Sequence, residues 1–175
     1  MKRNLVIAIV LIALAAAGRL VPHVWNVAPV AAAALLAGAL MPRKWAVAVP
    51  IVAMLISDYF LGAYHLPVMF TVYGCFILSA LMGSWLKDMK PVKILGTSLA
   101  SSTLFFVATN FAVWASGEWY EKSWQGLILC YTLAIPFFRH TMLGDLLFTG
   151  VAFAAWAMVE HSVGVLFPKK VHVTS

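Results

Sequence analysis

Nine polar side chains stand out in a chain otherwise rich in hydrocarbon: Arg19, His23, Asn26, Asp58, Tyr73, Asn110, Trp114, Arg139 and Asp145. Carboxylates, guanidinium groups, amides and a phenol can hold a small polar solute by hydrogen bonds and charge pairing, with aromatic rings as walls. The spacing does not suggest catalysis: HExxH, GxSxG and a paired-carboxylate signature are all absent. His140 and Asp145 are five apart, which places them on different faces of a regular helix. No nucleotide-binding P-loop occurs, so the chain contains no ATPase of its own. Cys75 and Cys130 lie in apolar segments without CxxC or Cys/His ligand spacing, so no disulfide framework, metal site or cofactor is expected.

The elements that must position these residues are set by the solvent. Of 175 residues 63% are hydrophobic and 10% charged, and the mean hydropathy of +0.95 lies outside the range of soluble domains. Too few polar residues remain to cover a soluble core, so lipid is the solvent and residues 1–175 form one membrane domain. The net charge of +6 comes from short basic clusters between apolar runs, which are topology signals and exclude a nucleic-acid partner.

A spanning helix needs about 20 mostly apolar residues. Six runs meet that requirement: 4–21, 26–42, 44–62, 67–86, 92–114 and 141–167. The first could instead be a cleaved secretory signal ending at Ala15-Ala16-Ala17, but everything downstream is also membrane-like and a retained helix is the simpler account. The apolar part of the segment between the fifth and sixth runs, 126–138, is too short to cross as an ordinary helix. Its aromatic residues predict an interfacial or re-entrant helix over 124–138. The expected fold class is therefore all-α, an integral membrane bundle of about six transmembrane helices plus that extra helix; alternation of the kind found in membrane barrels is absent.

With the N-terminus inside, nine Lys and Arg residues are cytoplasmic and three, Arg19, Lys122 and Arg139, are outside, which predicts both termini in the cytoplasm of a bacterial inner-membrane protein. The polar residues then gather at the outer ends of the spans. Asp58 and Asp145 are expected to face inward toward a cationic or donor partner, with Arg19 and Arg139 available. Such pairs can serve helix packing alone, with Tyr and Trp forming an interfacial belt, or can build a site. Ala13/Ala17, Ala34/Gly38 and Gly150/Ala154 are small-x-x-x-small pairs that permit close helix contact. The second and third suit packing within the chain; the first could dock a partner.

Several stretches, Arg19-Leu-Val-Pro-His23, Asn26-x-x-Pro29, Asp58-x-x-Leu-Gly62, Thr109-Asn110-x-x-x-Trp114, Ile135-Pro-Phe-Phe-Arg139 and Gly144-Asp145, resemble an uncharacterised bacterial integral-membrane family over nearly the whole chain. That family in turn is similar to the substrate-binding S components of energy-coupling-factor vitamin transporters. The resemblance implies six helices, inside termini, an outward cavity and, through Ala13 and Ala17, a transmembrane coupling subunit with ATPases as partner. A narrower similarity, to solitary cobalamin transporters of that fold, rests on His23, Asp58, Tyr73 and Arg139. Cys75 is displaced from the cobalt-ligating cysteine some of those carry.

Three classes of function follow. The first is binding and uptake of a small water-soluble nutrient, vitamin-like, with cobalamin or another corrinoid as first candidate. The second is a non-catalytic membrane scaffold, and the third a membrane enzyme, which the missing motifs disfavour.

Overall fold

The computed structural model describes residues 2–21 and 28–166, with side chains as far as residue 162. Among these residues the chain is all-helical. Six α-helices occur, α1 (Lys2–Leu20), α2 (Val30–Leu40), α3 (Arg43–Leu61), α4 (Leu66–Gly83), α5 (Pro91–Ser116) and α6 (Trp124–Leu166), with a 3₁₀ turn, Ser84–Leu86, after α4. Five are long and apolar enough to cross a membrane; α2 is shorter.

The helix boundaries have local causes. Pro91 opens α5 and Pro67 stands in the first turn of α4, where the missing N–H is one that a helix leaves unpaired. Gly62 closes α3 with φ at 91°, a conformation that costs a glycine nothing, while its N–H donates to the carbonyl of Asp58.

The eleven-residue α2 is the hub. Each residue from Val30 to Gly38 is buried, and α2 packs on each of the other five helices. It has no polar face because it has no solvent face; a helix that is apolar all round belongs in the interior. Its tightest contact is with the end of α4, where a Cβ on Gly38 would lie 2.0 Å from the carbonyl oxygen of Ala80 and 2.8 Å from Cα of Gly83. Only glycine on both sides allows this approach.

Around the hub the remaining helices expose their outer faces. Leu55, Phe70, Val107 and Leu147 are exposed as lipid-facing side chains would be, and Tyr59, Trp119 and Trp124 are exposed near one end of the bundle, as in an interfacial belt. The described residues thus have the form of a multi-pass membrane bundle.

Three sequence expectations need correction. The 124–138 helix is not a separate element: it is the first part of α6, which continues through 141–166 as one helix of 43 residues. It runs antiparallel to α5 and packs on it, with Tyr131 donating to the carbonyl of Val107 at 2.7 Å and Phe138 stacked on Phe106. Pro136 removes only its own N–H, and neighbouring hydroxyls and helices support a membrane helix through such a gap. Arg139 and His140, read as a boundary, are exposed on the continuous helix. Second, the run expected to span from 26 to 42 is helical only from Val30 to Leu40; part of it, 26–27, lies outside the described residues. Third, of the small pairs expected to pack internally, Ala34 and Gly38 do so, whereas Gly150 and Ala154 are exposed, with open space where a Cβ on Gly150 would stand.

Candidate functional site

Three helices bring one polar group together. Arg19 ends α1, and α1 packs on α3, where Ser57 and Asp58 occupy the last turn. Arg19 Nη1 donates to Asp58 Oδ1 at 2.6 Å and to Ser57 Oγ at 2.5 Å. Ser57 Oγ in turn lies within hydrogen-bonding reach of the Ala53 and Met54 carbonyls of its own helix. From α4, Tyr73 Oη donates to the other carboxylate oxygen, Asp58 Oδ2, at 2.8 Å. With Asp58 9% exposed and Arg19 18%, this is a nearly dry ion pair with both carboxylate oxygens occupied.

Among the described residues the guanidinium bonds through one nitrogen only, Nη1; Nε and Nη2 make no hydrogen bond to a described residue. Arg19 lines a cavity of about 290 Å³ with Tyr64, Phe76, Ser101, Phe105 and Asp145.

Asp145, on α6, is 7% exposed. Ser102 of α5 donates to its Oδ2 at 2.6 Å, and Oδ1 has no hydrogen-bond partner among the described residues. A seam of buried hydroxyls runs beside it. Ser98 and Thr149 are 3.2 Å apart between α5 and α6, and Ser79 and Ser101 are 2.6 Å apart between α4 and α5.

Tyr64 sits in the connection between α3 and α4, outside the spans. Its phenol is pushed up to about 12, first by burial and second by the negative charge of Asp58, with the Arg19 charge opposing. It is the hydroxyl donor at the edge of the cavity.

Among the sequence candidates the structure therefore brings together Arg19, Asp58, Tyr73 and, across the cavity, Asp145. Asn110 spends its amide on the Phe106 carbonyl of its own helix at 2.8 Å. Trp114 donates from Nε1 to the carbonyl of Glu121, closing the α5–α6 loop, where Lys122 also bonds the carbonyls of Trp114 and Gly117. Arg139 is exposed and does not pair with Asp145, whose hydrogen-bond partner among the described residues is Ser102. Ala13 and Ala17 are exposed on α1 while the adjacent Ala15 and Ala16 are buried. His23 and Asn26 lie outside the described residues.

The sequence reading missed Ser57, Ser98, Ser101 and Ser102. A signal existed: 98, 101 and 102 repeat at the three- and four-residue spacing of one helix face, as do Asp145 and Thr149 on the helix opposite. No group of three or more His, Cys, Asp and Glu residues able to hold a metal occurs among the described residues.

The bundle and its internal polar site define a multi-pass helical membrane protein with a small cavity. Within that class the chain belongs to a family of unknown function, DUF6580, which matches residues 1–169. No curated protein and no solved structure matches the chain.

Proposed function

We propose that this is a non-catalytic binding and uptake protein for a compact water-soluble nutrient, and that the cavity beside Arg19 is its solute site. One observation carries the reading: a guanidinium is fixed at the cavity wall by Asp58 and Ser57 through one nitrogen, and no other described residue is bonded to its remaining donors. A purely structural ion pair has no need of a cavity on its free side. Arg19 would take a carboxylate or other acceptor group of the solute, Tyr64 and Asp145 would take its hydrogen-bonding groups, and Phe76 and Phe105 its apolar surface.

The volume of about 290 Å³ is near the lower limit of ligand pockets, which favours a compact vitamin-like solute over cobalamin or another corrinoid. The likeness to S components rests on the sequence motifs, supported by the helical bundle. So does the coupling subunit with ATPases as partner, for which the exposed Ala13 and Ala17 offer a close-approach face. Placement in a bacterial inner membrane with both termini cytoplasmic and the Arg19 end outward follows from the distribution of Lys and Arg.

The test is thermal stability of the purified protein in detergent against water-soluble vitamins, corrinoids included. A solute at a hundred times its Kd should stabilise by about 2.7 kcal/mol. The stabilisation should be lost in Arg19→Lys, which keeps a positive charge but lacks the planar fork. A panel without any shift, or a shift that survives this substitution, counts against the site.

A further inference from the structure

The two buried carboxylates have unlike surroundings. Asp58 faces a guanidinium, a phenol and, through Arg19, a serine. Asp145 is equally buried, yet among the described residues its single hydrogen-bond partner is the Ser102 hydroxyl and no cation stands within ion-pair distance. A carboxylate in hydrocarbon with one neutral donor is uncompensated by several kcal/mol, and the ordinary relief is to take up a proton.

Its surroundings support the same conclusion. Ser102 Oγ has one hydrogen but two acceptors in reach, Asp145 Oδ2 at 2.6 Å and the Ser98 carbonyl at 3.1 Å. As a carboxylic acid, Asp145 donates to Ser102 Oγ, and the serine hydrogen is then free for the Ser98 carbonyl. The contacts from Asp145 Oδ2 to Ser102 and from Ser102 to the Ser98 carbonyl then each have their own hydrogen.

The charged and titratable groups near Asp145 do not alter this. Arg19 and Tyr64 share its cavity, and Arg19 is already paired with Asp58. On α5 the only titratable side chain is Lys93, which is bound to Asp88 at 2.7 Å near the other end of that helix. The other helix packed on α6 is α2, which has none. On α6 itself, Arg139 and His140 are exposed more than a turn away, and Cys130, Tyr131, Glu160 and His161 are farther still.

We propose that Asp145 is a proton-binding site within the membrane-spanning bundle, a carboxylic acid donating to Ser102 and opening on the cavity that Arg19 lines. The step is a simple protonation: the carboxylate takes H⁺ from water entering the cavity, and the O–H bond formed at Oδ2 is directed at Ser102 Oγ. This goes beyond the solute reading and stands without it. Together, a proton and a solute in one cavity would let one influence the other.

Infrared spectroscopy of the protein in lipid vesicles tests it without any solute. At about pH 7 the wild type should show the C=O band of one neutral carboxyl group per chain, lost in Asp145→Asn and retained in Asp58→Asn. Asp145→Asn should keep the wild-type helix content, because an amide can donate to Ser102 as the acid does. If that variant does not fold, Ser102→Ala decides: the band should move as the acid loses its acceptor, and an unmoved band refutes the assignment. A folded wild type without the band, or one in which the carboxyl signal responds to sodium instead of pH, overturns the proposal. A solute-induced thermal shift is independent of all these outcomes, so either idea can fail alone.

Discussion

Arg19 and Asp58 are 39 residues apart in the chain, and their ion pair closes the contact between α1 and α3. Removing one partner from a buried pair leaves the other uncompensated, so Arg19→Ala is expected to cost about 3–5 kcal/mol in chemical denaturation. Replacing both, Arg19→Met with Asp58→Leu, should recover most of that stability, since a packed apolar pair can substitute for a buried ionic one. The double variant should nevertheless show no solute shift, which separates the pair's role in folding from its role in binding. Tyr64 reports on the same group from outside the spans. Its raised phenol means that the folded state holds the proton more tightly than the unfolded state. The associated stability is complete below about pH 10 and is lost as pH rises through about 12. Absorbance titration should place the phenolate transition near pH 12 in the wild type and lower in Asp58→Asn, where a contributor to the shift is gone. At this scale the sequence was informative about ionisable groups and poor about hydroxyls. An Asp in an apolar run is conspicuous because its burial is costly. A serine in such a run usually satisfies itself on its own helix, as Ser79 does on Cys75, so its second contact across helices leaves no trace in composition.

Elements were legible where hydropathy is the controlling variable. Helices α3, α4 and α5 agree with their expected runs within a few residues, because the membrane demands length and apolarity and little else. The 124–138 segment was misread since Arg139, His140 and Pro136 suggest a boundary in one dimension. In three dimensions the two side chains are exposed and the helix passes through the proline. The glycines give a matching contrast. Gly38→Ala should destabilise by about 1–3 kcal/mol or more, because backbone of α4 occupies the place of its Cβ and cannot retreat as a side chain could. Gly150→Ala meets open space and should be neutral or stabilising by up to about 1 kcal/mol through helix propensity. Melting curves of both variants in the same detergent would check the pair, and equal behaviour would contradict the packing described for α2 and α4.

For the whole molecule, the orientation that the basic residues suggest can be read chemically. Both native cysteines are buried, so single cysteines introduced at Lys87 and Lys122 can be labelled with an impermeant thiol reagent in intact cells. Lys122→Cys is expected to react from outside, and Lys87→Cys only after the membrane is opened. The reverse pattern would place the Arg19 end toward the cytoplasm and make the cavity an inward-facing one.

The position of α2 bears on how the protein is made. Its eleven residues extend about 16 Å, roughly half the hydrocarbon thickness, so the helix alone is a weak occupant of the bilayer. It leaves the ribosome second, yet four of the five helices that enclose it, α3, α4, α5 and α6, are synthesised after it. Its insertion therefore becomes secure only when the C-terminal half of the chain arrives, and a nascent chain stopped shortly after Met41 should be retained in the membrane by α1, with α2 readily extracted.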